Sequence, residues 1–344
     1  MKAIVVDAPG NVLLKDIERA TPGRFEVLVR VRSAGICGSD IPRMLKDAAH
    51  YYPIVLGHEF SGDIVEIGPD VDADLMGMRV SIAPRVPCWS CEPCKSGLFS
   101  LCEGYDFIGS RRDGGLCEFA SVPQTSIVKL ADALSYEQGA MLEPCTVALH
   151  ALLRVRQLAG STVAILGGGV IGLLAAQIAR ILQADDVIIA DVCPDRLQLA
   201  ERLGFKAVDA RGLSPGLAIS ELTKGKGAQV VLETAGVPQT QTSAVDAAGM
   251  QGEIVYVGSS HSNVVFTGKQ FEAIARKELA IRGSWQSYSA PFPGQEWTMC
   301  QEYIGSGQIQ VEPLISHRIP LSEGLRALDI IRNGQPYMKI LLEA

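Results

Sequence analysis

The stretch "TVAILGGGVIGLLAAQIARIL", residues 162–182, restricts the fold more than any other part of the chain. It opens with an apolar run of strand length, breaks at Gly167–Gly169 and resumes with helical spacing. Its apolar core, Val163–Ala179, is short for a membrane span and carries four glycines. A strand, a tight turn and a helix account for it better. The same alternation continues downstream. "DDVIIADV" reads as a strand and "CPDRLQLAERLGF" as a helix, with Pro194 and Asp195 suited to its first turn. "AQVVLETAG" and "GEIVYVGSS" read as two further strands. Strands alternating with helices predict an α/β region with a parallel sheet and helices on its faces.

The turn itself is chemically specific. Gly167, Gly169 and Gly172 form G-x-G-x-x-G between a predicted strand and a predicted helix. The first glycine permits the turn, the second lets backbone N–H groups approach a pyrophosphate, and the third allows close helix–strand packing. Val170 and Ile171 sit in the helix's first turn, where the N-terminus stabilises phosphate charge. Asp191 ends the next strand, nineteen residues past Gly172. There it accepts hydrogen bonds from ribose hydroxyls and repels a 2′-phosphate, which favours NAD over NADP. Arg196 works against that preference, because a nearby arginine can accommodate the phosphate.

The region to about residue 130 reads as an irregular antiparallel β domain. "EVLVRVRSAGIC" alternates Val27, Val29 and Val31 with Arg30 and Arg32, and "GDIVEIGPDV" and "GMRVSIAP" behave alike. "LSYEQGAMLEPCTVALHALL" has helical spacing, and the tail holds a helical "SEGLRALDIIRNG" before a strand "YMKILLEA". With 47% apolar residues among 344, the chain can bury a full core. The net charge of −7 and the lack of a basic run argue against nucleic acid as a partner. "MKAIVVDAPG" does not read as a signal peptide, and the expectation is a cytoplasmic protein without membrane segments.

Nine cysteines without an export signal argue against a disulfide framework. Cys88, Cys91, Cys94 and Cys102 are spaced C-x2-C-x2-C-x7-C. A ferredoxin-type cluster calls for a shorter last gap and a following proline. A redox pair needs fewer thiols, and a nucleic-acid zinc ribbon needs a basic setting. Four thiolates in one loop suit a closed, structural zinc site. Elsewhere "AGICGSD" and "GHEFSG" present Cys37, His58 and Glu59, and "LEPCTVALH" presents Glu143. A catalytic zinc takes three protein ligands and keeps one position open. Cys37 and His58 supply two, and either Glu59 or Glu143 the third. Such an ion polarises a substrate oxygen.

"GICGSD", "GHEFSG", the four-cysteine lobe, "GGGVIG" and "IIADV", taken in this order over nearly the whole chain, resemble the zinc-dependent medium-chain dehydrogenases, in their sorbitol and threonine dehydrogenase branch. The resemblance implies a GroES-like β-rich catalytic domain over 1–145 and 285–344. It implies a Rossmann doubly wound parallel sheet over 146–284, with the active site in the cleft between them. It also implies two zinc ions per chain, NAD, and a homodimer or homotetramer. Cys37 and His58 correspond to zinc ligands, with Glu59 and Glu143 as the glutamates that complete the site directly or through water. Asp40 corresponds to the carboxylate orienting the histidine, and Ser39 to the hydroxyl that relays the substrate proton. Pro42 stands where many members continue that relay with histidine, so the proton leaves through Glu143 or water.

"CGSDIPR", "AHYYPIVLGHEFSG", "YDFIGSRRDGG", "ETAGVPQT" and "GSWQSYSAPFPGQEW" narrow the resemblance to members that oxidise a phosphorylated hexitol. Arg43, Lys46, Arg111 and Arg112 are then the cations for the phosphate. His50 and Tyr52 are expected to line the cleft. Trp285 and Gln286 lie where substrate-side residues fall, Gln286 replacing a frequent arginine. The rival activities are oxidation of a free polyol, a diol or threonine. A rival of another class is a non-catalytic dinucleotide-binding protein.

Overall fold

The computed structural model describes residues 1–344. The chain forms two compact units, Met1–Glu143 with Tyr288–Ala344, and Pro144–Ser287. The second is thus inserted in the sequence of the first. Its boundaries place Trp285 and Gln286 in the inserted unit, a correction to the expectation that they open the returning segment. No helix is long and apolar enough to cross a membrane.

The inserted unit holds a six-stranded parallel sheet. Its order is Lys206–Asp209, Asp186–Asp191, Thr162–Leu166, Ala228–Glu233, Ala248–Tyr256, Ala280–Gly283. The order reverses beside Thr162–Leu166, so the crevice for a ligand opens there. Val163, Ala164, Ile165 and Leu166 are all fully buried. Successive side chains of a strand point to opposite faces, so both faces of the sheet are covered. The helices Val170–Ile181 and Pro194–Arg202 follow the pattern seen in the sequence. Three more, Pro215–Leu222, Pro238–Ala247 and Gly268–Arg276, are less legible. Their starts are nonetheless encoded, by proline in the first turn of two and by a Thr267–Gln270 capping box in the third.

In the first unit the strand Glu26–Gly35 is the hub. One edge pairs antiparallel with Glu59–Ile67. The other is shared: Phe119–Pro123 takes its first half and Lys339–Glu343 its second. Val27, Val29 and Val31 are buried, while Arg30 and Arg32 are exposed, as the alternation predicts. The C-terminal strand also pairs with Ile315–Pro320, in parallel. The expected helical segment is two helices, Tyr136–Ala140 before the insertion and Leu142–Leu153 across its start. Ser135 and Gln138 cap the first reciprocally.

A methyl group at Gly172 would overlap the Gly167 carbonyl oxygen, backbone against backbone. Gly172→Ala is expected to destabilise the protein by about 1–3 kcal/mol through overpacking, and to weaken NADH binding at least tenfold. Thermal melting and a fluorescence titration check this; wild-type affinity in the variant would refute the packing role.

Candidate active site and metal centres

The glycine turn is shaped from below and open above. Gly167 has φ of +113°, and its added Cβ would meet Thr234 and Ala235. The Thr234 hydroxyl donates to Gly167 O at 2.8 Å and holds the turn on the neighbouring strand. Around a Cβ at Gly169, in contrast, there is nothing within 4 Å. Gly169 caps the helix Val170–Ile181 without any side-chain hydrogen bond, so its first N–H groups keep their donors for a ligand. Val170 and Ile171 are half-buried in that first turn. Asp191 is buried, and its carboxylate accepts from Gly168 N at 2.6 Å and from Cys193 N at 2.8 Å. Arg196 Nη1 lies 3.6 Å from it, so the arginine is drawn to the aspartate. This turn fits a dinucleotide pyrophosphate.

Cys37, His58 and Glu59 come together in the first unit, with one potential ligand atom from each within 4.8 Å of the others. Backbone geometry explains the convergence. Cys37 follows the hub strand, and Glu59 sits opposite Gly35 on its neighbour. Gly57, at φ +97°, makes the turn before His58. Asp40, fully buried, ties the group together. Its Oδ2 accepts from Cys37 N at 3.1 Å, and its Oδ1 lies 3.4 Å from His58 Nδ1. Neither Oδ1 nor Nδ1 has another hydrogen-bond partner. The edge of Phe107 packs on the imidazole, ring centroids 5.5 Å apart. Ser39 Oγ donates to Cys37 Sγ at 3.4 Å.

The electrostatics are those of a cation site. Burial disfavours a charged His58, yet the Asp40 carboxylate and Cys37 outweigh it and hold its pKa well above the usual range. Glu59 is ion-paired with Lys339, whose Nζ also donates to Ile36 O at 3.2 Å. Glu143 stands outside the three-residue group, but feels it. Burial, then the Glu59 and Asp40 charges, push its carboxyl up to about 7, against the pull of His58 and Lys339. A soft thiol, an imidazole and a carboxylate, with surplus negative charge around them, fit a zinc ion.

The second group is Cys88, Cys91, Cys94 and Cys102, also within 4.8 Å. All four are free thiols. Cys91 Sγ and Cys102 Sγ are 3.8 Å apart, far beyond a disulfide. That separation matches the roughly 3.8 Å edge of a tetrahedron with Zn–S bonds of about 2.3 Å. Backbone N–H groups already point at sulfur, from Cys91 to Cys88 Sγ at 3.4 Å and from Cys88 to Cys102 Sγ at 3.2 Å. The Ser90 hydroxyl and such N–H groups bring the Cys88 thiol down to about 5. The set fits a four-thiolate zinc ion, with no ligand position left over.

The expected substrate residues separate. The Arg112 guanidinium is paired with Glu26 and lies 3.8 Å from Asp106, so its charge is already compensated. Tyr52 spends its hydroxyl on Lys46 O at 3.3 Å, and Lys46 is exposed. Arg43 donates to Ser39 O at 2.6 Å, two residues from Cys37. Arg111 stacks on Tyr105, 4.3 Å from the ring centroid, and His50 is exposed. Trp285 is half-exposed, and Gln286 has φ of +56°. Lys339, the buried partner of Glu59, is the residue of this cluster that the sequence concealed, because one lysine in "YMKILLEA" carries no motif.

Residues 23–132 match the alcohol dehydrogenase GroES-like domain, and residues 170–301 match the zinc-binding dehydrogenase domain. The chain belongs to the zinc-dependent medium-chain alcohol and polyol dehydrogenases, whose cofactors are zinc and a nicotinamide dinucleotide. Galactitol 1-phosphate 5-dehydrogenase of Escherichia coli (strain K12) is 40% identical to it over 345 residues, covering 99% of this chain and 100% of that one. Sorbitol dehydrogenase of Bacillus subtilis (strain 168) is 31% identical over 343 residues, covering 96% and 93%. The crystal structure of galactitol-1-phosphate dehydrogenase from Escherichia coli superposes with a TM-score of 0.95 at 41% identity, over 100% of both chains.

The two cysteine groups should respond differently to mutation. Cys91→Ser is expected to lower the melting temperature and the zinc content, whereas Cys37→Ser removes activity and leaves the melting temperature nearly unchanged. Zinc analysis, melting curves and kinetics on both variants decide this; an active, stable Cys37→Ser protein would overturn it.

Proposed function

We propose that this polyol dehydrogenase oxidises the secondary hydroxyl of a phosphorylated hexitol with NAD, its substrate being galactitol 1-phosphate and its product tagatose 6-phosphate. The observation that carries the reading is the end-to-end 40% identity to an enzyme of that name, together with the Cys37–His58–Glu59 group beside Ser39. In this reading Cys37, His58 and one of the two glutamates hold the catalytic zinc, and Cys88, Cys91, Cys94 and Cys102 hold a structural one. A zinc ion held there would supply Lewis acidity toward the substrate hydroxyl, and a dinucleotide at the glycine turn would be the hydride acceptor.

The chain's own groups do the rest. Ser39 presents its hydroxyl next to Cys37 Sγ and takes up the substrate's hydroxyl proton as hydride leaves the carbon. Loss of one proton and one hydride turns the alcohol into a ketone. Glu143, a buried carboxylate close enough to feel His58 and Glu59, or water is the next acceptor. Pro42 cannot do so. Asp40 fixes the imidazole of His58 in one orientation. The Gly167–Gly172 turn binds the pyrophosphate, and Asp191 selects the unphosphorylated ribose.

A spectrophotometric panel of polyols and polyol phosphates with NAD and NADP tests this. The expected result is highest kcat/KM for galactitol 1-phosphate with NAD; equal kcat/KM for free galactitol would sink the substrate assignment. Asp191→Ser is expected to raise the NADP-to-NAD ratio of kcat/KM at least tenfold, since it removes the repelling charge and frees Arg196. An unchanged ratio would remove Asp191 from cofactor selection.

A further inference from the structure

Three arginines surround Tyr105 and Phe107, and they are in different electrostatic states. Arg112 is neutralised by Glu26 and Asp106. Arg85 is buried, donates to Cys102 O at 3.0 Å and lies 3.7 Å from the Tyr105 ring centroid. Arg111 lies over the same ring at 4.3 Å, yet its guanidinium has no carboxylate and no hydrogen-bond partner. It is an exposed, uncompensated cation whose rotamers are restricted by stacking.

Its position relates it to the reacting centre. The Tyr105 ring packs edge-on to Phe107 at 6.5 Å, and Phe107 packs edge-on to His58 at 5.5 Å. Arg111 therefore sits at the far end of a short row of rings that begins on His58. Arg43 approaches from the helix Asp40–Leu45, anchored through Nη1 to the carbonyl of Ser39, with Asp40 at 3.8 Å. The two guanidiniums act on a common neighbour. Desolvation, then the charges of Arg111 and Arg43, hold the His50 pKa below the ordinary histidine value, so both guanidiniums lie within electrostatic reach of His50.

We propose that Arg111 and Arg43, with His50, form the subsite for the phosphate monoester of the substrate. The assignment rests on the polyol-phosphate reading above. A guanidinium without a partner loses no ion pair when it binds phosphate, and its fork matches two phosphate oxygens. Arg43, already fixed to Ser39, couples a seated phosphate to the residue that handles the proton.

The test compares kcat/KM for galactitol 1-phosphate and for free galactitol in wild type, Arg111→Met and Arg112→Met. Inorganic phosphate serves as a competitive inhibitor in each. The wild-type preference for the phosphorylated substrate is expected to fall about 100-fold in Arg111→Met, as the loss of charged hydrogen bonds implies, with inorganic phosphate inhibition weakened alongside. Arg112→Met should keep the preference within threefold. A preference and inhibition retained in Arg111→Met would overturn the subsite and leave the substrate reading standing. A wild type with no preference would overturn both.

Discussion

The reacting centre depends on one buried carboxylate. Asp40 holds the Cys37 backbone with one oxygen and faces the His58 ring with the other, so it sets two of the proposed zinc ligands at once. It can do this because Asp40 opens a helix at the end of the hub strand, three residues after Cys37. A carboxylate without exposure is costly unless it is paired, and here its partners are the groups it positions. The same negative charge stabilises positive charge on the His58 ring against its burial.

Around this carboxylate the fold concentrates more charge than a protein interior tolerates alone. Glu59, Glu143 and Lys339 are all buried as well. The Glu59–Lys339 pair exists only because the C-terminal strand returns beside Gly35, and because Gly35 lacks a side chain. A Cβ there would overlap the Glu59 carboxylate. Removing one member of such a pair typically costs about 3–5 kcal/mol, because the other is left buried and uncompensated. The last strand is therefore bound to the active centre by electrostatics as well as by hydrogen bonds.

The two cysteine settings show how the same element serves different ends. In the lobe, four sulfurs surround a point, Cys94 and Cys102 are buried, and N–H groups already face sulfur. Such a set is saturated by one ion. Cys37 stands as the single sulfur of its group, with the Ser39 hydroxyl beside it. In the proposed reading, the crowding of cysteines in the sequence marks the clamp and not the chemistry.

Local patterns determined much of this in advance. The alternation of strands and helices, the glycine turn, the buried valines of the hub strand and the cysteine spacing each follow from short-range periodicity and ligand chemistry, which one segment can encode by itself. The sequence also brought Cys37, His58 and Glu59 into one hypothesis. It left Glu59 and Glu143 equivalent, joined Arg112 to the phosphate cations and passed over Lys339. Those points depend on partners 86 residues away for Arg112 and Glu26, and 280 away for Lys339 and Glu59. Only strand pairing across the folded unit decides which charges meet. Coulomb energy depends on distance in space, and separation along the chain does not report it.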